Sequence, residues 1–557
     1  MKIYHIHIII LLALSINVFA ENPVRERVYV QTDKQTYISG ELLWMKLYLT
    51  SETGLPSSFS KIGYVEILDE SASLVQTKLD IVDGIGEGWM ELPVSLPTGY
   101  YILKAYTRNM RNEGEPVFFE KTIAIINTFR SDVTVKTDTL HTDEDTSPVP
   151  AGNITVVTDN QSYKPRTRNE VRIQNLPENV HSLCVSIAGK DFAQSSSGIM
   201  DWSSRLLANY HVPFKNDFLP EYEGHIINGK IIDVATNQPA AKEDGIFALL
   251  GFVGEGIRLF GGNVENGSDV SFFTTRIAGT HEIAISTVTS SNNRYRINIE
   301  TPFVSHSERN IPEFRLNKDW ENQLLKRSVG LQVLLAYTAD SMSLVDTTYS
   351  FFQWKADRSY ILDEYTRFTS MEELVIEFLR PLRFRNYNGK RYLSVFIEES
   401  ATTTIGNSIV LLDGIPILDH DIIRKYNPLL IKKIEIYTDR FVFGGMHFEG
   451  LVSISTYKND YPGLVMDATT NLFDYEGTQV HRYFYTPAYS GQPGENAMIP
   501  DYRHTLLWMP EVNTGGQQSI SIPFSTSDLT GDFQVTVEGI TKNGDVIRGV
   551  SFFEVEQ

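Results

Sequence analysis

The sequence predicts a mainly β chain: several β-sandwiches in series, with one small α/β domain in its later part. Three observations carry this. Short runs rich in β-branched and aromatic residues recur along the chain, among them RVYVQT, LLWMKLYL, YYILKAYT, NITVVT, SISIPF and FQVTVEGI; turn residues often bound them, and several alternate with period two. Two pairs of stretches echo one another: VQTDKQTYISGE from Val30 against VVTDNQSYKPRTRNE from Val156, at domain-sized spacing, and LPTGYYILKAYT from Leu96 against DLTGDFQVTVEGIT from Asp528, where Gly99 and Gly531 suit a turn into the last hairpin of a sandwich. Helix signals are scarce. The best is SMEELVIEFLRPL, where Ser370 and Glu373 form a capping box and Pro381 ends the helix.

Length and composition set the bounds. The chain has 557 residues, room for several domains of ordinary size, and its apolar and charged fractions are those of a globular protein. A formal net charge of −20 disfavours nucleic acid and anionic membrane surfaces, because both reward clustered Lys and Arg. At the N-terminus, Lys2, the apolar run Ile8–Phe19 and the small residues Val18 and Ala20 read as a signal peptide over 1–20. Glu21 follows rather than Cys, so no lipoprotein acylation is expected. Beyond it, the best apolar run, Gly245–Ile257, is too short to span a bilayer and contains a Glu. The chain is therefore expected to be exported and to have no transmembrane segment of its own. The single cysteine, Cys184, cannot form an internal disulfide, and its alternating flanks suit a buried structural thiol.

The domain boundaries follow in order. The run YVQTDKQTYISGELLWMKLYL, continued by GWMELPVSLPTGYYILKAYT, resembles the macroglobulin-type domain of the α2-macroglobulin superfamily. That resemblance implies an Ig-like seven-stranded sandwich over 21–130, acting as spacer and interaction surface. A second, diverged copy is expected over 152–221. The superfamily's thioester chemistry does not carry over, since Cys184 has neither the Glu nor the Gln that the reactive bond needs close by. Between the copies, 131–151 reads as an acidic linker, and its HTDED run as solvated loop acids. From Glu223, GHIINGKIIDVATNQPAA resembles the start of a carboxypeptidase-regulatory-like sandwich, expected over 222–305. Residues 306–360 read as a connecting segment of mixed helical and strand character.

The segment from Gly406 is the most specific. SIVLLDG is a β-run closed by Asp-Gly; a turn and short amphipathic helix follow; IKKIEIYT alternates; FVFGGMHFEG is a Gly-rich bend; LVSIST is a last strand. The order of these words resembles the plug domain of TonB-dependent outer-membrane receptors, expected over 361–460. The matching positions are Asp413, Gly414, Ile415 and Pro416, then Glu435 between Ile434 and Ile436, then Gly444, Gly445 and Gly450. A receptor's barrel would need several hundred further residues. Only about a hundred follow, and they read as a C-terminal sandwich over 461–557.

No catalytic motif, cofactor motif or metal-ligand spacing was found, so the expectation is a chain that is not an enzyme, with no catalytic, cofactor or metal site. LDHDI, with Asp419, His420 and Asp421, reads as a helix start, because acids favour the positive end of a helix. PDYRHTLLWMPEV, from Pro500, reads as an anchored strand, with a partner-contact patch as the sharper alternative. The resemblances imply a protein partner at the outer membrane of a Gram-negative envelope, specifically a barrel from another chain on which the plug-like domain docks. The alternative is a secreted macroglobulin-like binder of proteases or host proteins, with the plug fold as a rigid module.

Overall fold

The computed structural model describes residues 23–130, 136–138, 152–190, 198–206, 212–242, 245–289, 294–317, 320–338, 355–387, 389–397, 402–403, 408–466, 469–487, 489 and 500–556. The expected signal peptide and most of the expected acidic linker lie outside these. The chain is mainly β, in several sheets.

The first sandwich has eight strands: Glu26–Thr32, Thr36–Ile38, Leu42–Ser51, Ile62–Leu68, Ser73–Val82, Ile85–Glu91, Gly99–Tyr106 and Phe119–Ile126. Numbered in chain order, they lie side by side as 1-3-6-5-4-7-8-2. Neighbours are antiparallel except the short second strand, which runs parallel to the eighth (Thr36 opposite Ala124, Ile38 opposite Ile126). Its core is dense in aromatics, with Tyr29, Tyr37, Tyr48, Tyr64 and Tyr106 all buried.

The second sandwich repeats this plan from two distant pieces of chain. Its first four strands are Thr155–Thr158, Ser162–Tyr163, Arg168–Gln174 and Val180–Gly189; its last four are Thr505–Met509, Ser519–Ser525, Gly531–Thr541 and Val546–Val555. Their order is 1-3-6 in one sheet and 5-4-7-8-2 in the other, and the second strand is again parallel to the eighth (Ser162 opposite Glu554). Each pair has its counterpart in the first sandwich. Both sequence echoes fall on equivalent elements. Tyr37 and Tyr163 each donate a hydroxyl to the Asp four residues earlier, Asp33 and Asp159, and Gly99 and Gly531 each open the seventh strand.

This corrects the expected division. Residues 152–221 and 461–557 do not form separate sandwiches. The fourth strand, Val180–Gly189, has hydrogen-bonded neighbours on both sides, and both come from after residue 500. The early piece alone would leave that strand's backbone unpaired and its apolar face open. The shared core joins Val171, Leu183 and Val185 to Leu506, Phe524, Val535 and Phe553.

Everything between lies in the connection from the fourth strand to the fifth. Within it is a seven-stranded sheet in the order Tyr295–Ile299, Ile226–Asp233, Asp269–Phe273, Leu259–Glu265, Phe247–Phe252, Thr280–Val288 and Thr470–Glu476. The expected sandwich over 222–305 thus takes its last strand from a region assigned to the C-terminus. That strand alternates weakly, and its register is supplied by Thr280–Val288, with Thr280 opposite Glu476 and Ser286 opposite Thr470. An α/β domain over 355–466 is inserted in turn before this strand. The insertions are nested: α/β domain within third sheet, third sheet within second sandwich.

The remaining pieces dock on these bodies. Within the expected linker, Lys136–Asp138 is a strand parallel to Arg315–Asn317, so it is held rather than free. The connecting segment carries helix Glu321–Thr338. Arg327, on its buried side, donates from Nε and Nη2 to Glu41 of the first sandwich, both at 2.8 Å.

Candidate interaction face of the α/β domain

The α/β domain has a five-stranded sheet in the order Arg358–Ile361, Ile431–Phe443, Met446–Thr456, Ile409–Leu412 and Ile415–Pro416. Ile409–Leu412 is apolar and buried throughout, which suits a strand covered on both faces. On one face lie helix His420–Lys425, the hairpin Leu382–Tyr387/Lys390–Ile397 and a helical turn from Met371 that widens into a π-turn, Leu374–Phe378. Ser370 caps that turn by accepting from the Glu373 amide at 3.2 Å. Asp419 caps the other helix, and His420 is buried with Nδ1 accepting from the Leu393 amide at 2.9 Å. Burial pushes His420 down to about 4, so it is neutral. Among the described residues no group of three or more His, Cys, Asp or Glu could hold a metal ion.

The motif residues come together in part. Asp413 is buried, and its carboxylate accepts from the Thr456 amide at 2.7 Å, the Thr456 hydroxyl at 2.6 Å and the Tyr461 amide at 2.8 Å. It ties together the ends of the parallel strands Ile409–Leu412 and Met446–Thr456 and holds the turn at Tyr461 against them. Gly414 has φ +85° and presses on the third sheet so closely that a Cβ would collide with the Phe252 carbonyl. Gly254 donates its amide to the Asp413 carbonyl at 2.8 Å, and Ser286 its hydroxyl to the Pro416 carbonyl at 2.9 Å. Ile415 is fully buried. At the far end, a Cβ on Gly444 would meet the Gly262 carbonyl at 2.6 Å. Between these contacts, Leu249, Ile257 and Leu259 of the third sheet pack with Ile409, Leu411, Tyr437, Phe441 and Leu451.

Five candidates, Asp413, Gly414, Ile415, Pro416 and Gly444, therefore build or adjoin a contact within the chain. The other three do not join them. Gly445 faces open space, Gly450 lets Val395 of the hairpin lie against the sheet, and Glu435 is half-buried beside Lys433 at 2.8 Å. Among the described residues, the exposed surface of the domain includes Arg383, Arg385 and Lys390 of the hairpin and much of the edge strand Arg358–Ile361.

Sequence reasoning missed the junction that holds this arm. The inbound connector crosses the first sandwich: Lys61 donates its amide to the Glu221 carbonyl at 2.8 Å, and Arg108 donates to the Leu219 carbonyl at 3.0 Å. The outbound connector does the same, with Gln479 exchanging side-chain bonds with the Trp89 backbone at 2.8 and 2.6 Å. Between them is a buried polar cluster. Tyr64 donates to both Glu221 oxygens at 2.9 Å, the Ile226 amide donates to one of them, and Tyr475 contacts His225. Burial pushes Glu221 up to about 7, against the Ile226 amide and the Arg108 charge. Burial likewise lowers Lys78 to about 8. No local pattern marks these residues; they meet only because both connectors cross one sheet.

No family model matches the chain, and no curated protein matches it. Several solved structures align loosely. A point mutant of Salmonella alpha-2-macroglobulin aligns over 98% of this chain and 40% of its own, at 8% identity and TM-score 0.24. Escherichia coli alpha-2-macroglobulin activated by porcine elastase aligns over 95% and 44%, at 9% identity and TM-score 0.24. The Escherichia coli adhesin FdeC aligns over 48% and 60%, at 12% identity and TM-score 0.14. The chain spans less than half the length of these macroglobulins. The mainly β fold class stands on the strand register described above.

Proposed function

We propose that the chain is a non-catalytic, exported binding protein of a Gram-negative envelope that makes protein–protein contacts at the outer membrane. The observation that supports this best is the nested insertion. It carries the α/β domain on an arm whose two connectors are both fastened to the first sandwich, an arrangement suited to presenting a module in a fixed orientation. On this reading the plug-like domain docks on a barrel from another chain. The face bearing Asp413, Gly414 and Gly444 already meets the third sheet. Docking would use the edge of the sheet at strand Arg358–Ile361, by addition of a partner's strand. Purification from detergent-solubilised envelopes tests it. A barrel protein retained in stoichiometric amount is expected, and release of the chain alone after gentle fractionation would overturn it.

The same internal contact favours a second reading: a secreted macroglobulin-like binder of proteases or host proteins, with the α/β domain as a rigid module. Recovery of the chain from culture medium in a protease or host-protein complex would select it.

A further inference from the structure

Between Glu377 and Glu398 the sequence has no acidic residue and five cations, Arg380, Arg383, Arg385, Lys390 and Arg391, in a chain whose net charge is −20. All five are exposed. Four lie in the hairpin Leu382–Tyr387/Lys390–Ile397 and Arg380 just precedes it. The register pairs Leu382 with Val395, Phe384 with Leu393 and Asn386 with Arg391, alternating with Arg383–Ser394, Arg385–Tyr392 and Tyr387–Lys390. Strand side chains alternate between faces. Leu382, Leu393 and Val395 are buried in the domain core, so Arg383, Arg385, Lys390, Tyr392 and Ser394 belong to the opposite face; of these Ser394 is buried and Tyr392 packs edge-on against His420, which leaves Arg383, Arg385 and Lys390 as its exposed part.

The charges on that face are uncompensated by ion pairs among the described residues. Arg391, on the inward set, pairs with Glu372 at 2.6 Å. Arg383 donates only to the carbonyls of Arg380 and Leu382, which hold its guanidinium without neutralising it. Apolar surface accompanies the charge. Phe396, one alternation beyond Ser394, is 37% exposed, and Ile376, on the turn leading into the hairpin, is 66% exposed.

We propose that the outward face of this hairpin docks on the phosphate headgroups of an anionic lipid leaflet. The three cations stand together on the exposed part of that face, beside a partly exposed aromatic. Such a face suits a broad charged surface with apolar depth rather than the side chains of a single acidic peptide. The chain's overall negative charge does not forbid this. Exposed charges more than about 8 Å apart are largely screened at physiological salt, so the local cluster governs the contact. The contact needs no barrel, so it stands or falls separately from the reading above.

The test is co-sedimentation of the full chain with vesicles of phosphatidylcholine alone or mixed with phosphatidylglycerol. Binding to the mixed vesicles at physiological salt is expected, with little to phosphatidylcholine alone and release at high salt. R383E/R385E/K390E should lower partitioning roughly a hundredfold, whereas K164E/K190E/K542E, on exposed lysines of the second sandwich, should leave it unchanged. Thermal melts of both variants should match the parent. Equal binding to both vesicle types, no binding, or indifference to the hairpin reversal would each overturn the proposal. So would hairpin-dependent binding to soluble polyglutamate or an acidic polysaccharide without vesicle binding.

Discussion

The two sandwiches share one strand order and differ in one connection. In the first, the fourth strand turns into the fifth within a few residues, where the Asp69 carboxylate accepts from the Ser71 and Ala72 amides. In the second, the same connection holds a complete sheet and an α/β domain. The ladder nevertheless closes where it must, with Gly189 donating its amide to the His504 carbonyl at 2.9 Å. The sandwich is thus defined by which strands pair, not by contiguity. Loop closure rises by only about 0.6 kcal/mol per doubling of length, and a folded insert whose two ends lie together reduces that further. What the second sandwich gives up is local assembly, since its central pairings wait for chain made much later.

The largest effects come from breaking the unity of the second sandwich. Val535 is fully buried on its seventh strand, opposite Ile187. Val535→Asp places a charge in that core and should destabilise by roughly 4 kcal/mol or more. Limited proteolysis read by mass spectrometry should then show cleavage in 155–189 as well as in 531–555, with the first sandwich still protected. Persistent protection of 155–189 would mean that the early piece folds alone. A step smaller is Arg327→Ala, which leaves Glu41 buried without its guanidinium and should cost about 3 kcal/mol in the first sandwich. Burial alone would raise Glu41, but the Arg327 and Lys34 charges prevail and hold it at about 2. Its contribution is present above about 4.5 and lost as pH falls toward 2. The parent should therefore show an acid-sensitive melt of the first sandwich that the variant lacks.

The junction between the first sandwich and the inserted arm responds to pH in the opposite sense. Glu221, raised to about 7, stabilises most below about pH 4.5, and that contribution is lost as pH rises through 7. Lys78, lowered to about 8, contributes most above about pH 10.5 and loses it as pH falls through 8. Burial holds His225, in the same cluster, well below its usual range, so its contribution is lost as pH falls below about 6.5 and opposes the gain from Glu221. The Glu221 share is therefore read against Glu221→Gln: relative to that variant, hydrogen exchange at Ile226 and Gln479 in the parent should slow as pH falls from about 7 toward 4.5, by an amount equivalent to about 1–3 kcal/mol. Glu221→Gln should flatten the acidic limb; an unchanged profile would remove Glu221 as its cause.

The two sandwiches also show where sequence reading stops. The Asp-x-x-x-Tyr echo at Asp33/Tyr37 and Asp159/Tyr163, the Ser370 cap and the Asp413-Gly414 turn were legible because each is set by residues within one turn of chain. The later echo at Asp528 even marked the last hairpin of a sandwich. Period-two alternation in Val180–Gly189 reports that one face is buried, but not against which strands. The partners, beyond residue 500, carry no local mark. The Tyr64–Glu221–His225–Tyr475 cluster and the meeting of Gly414 with Phe252 are hidden for the same reason. In the candidate site, residue identities were readable and their purpose was not: the Asp-Gly motif signals a turn, and only the fold shows it facing inward.

The smallest effect separates the two glycine ends of that internal contact. Gly414 and Gly445 have similar left-handed backbones, φ +85° and +80°. Alanine at either should cost about 1 kcal/mol in backbone strain. At Gly445 the added Cβ meets open space, and nothing further is lost. At Gly414 it collides with the Phe252 backbone, so the α/β domain must lift from the third sheet or distort its turn. Gly414→Ala should therefore cost a further 1–2 kcal/mol or so and increase amide exchange at Gly254, whose hydrogen bond to the Asp413 carbonyl crosses the contact. Gly445→Ala should leave that amide protected. Equal exchange in both variants would show that the α/β domain is held by its apolar contacts alone, with the Asp413-Gly414 turn free to slide.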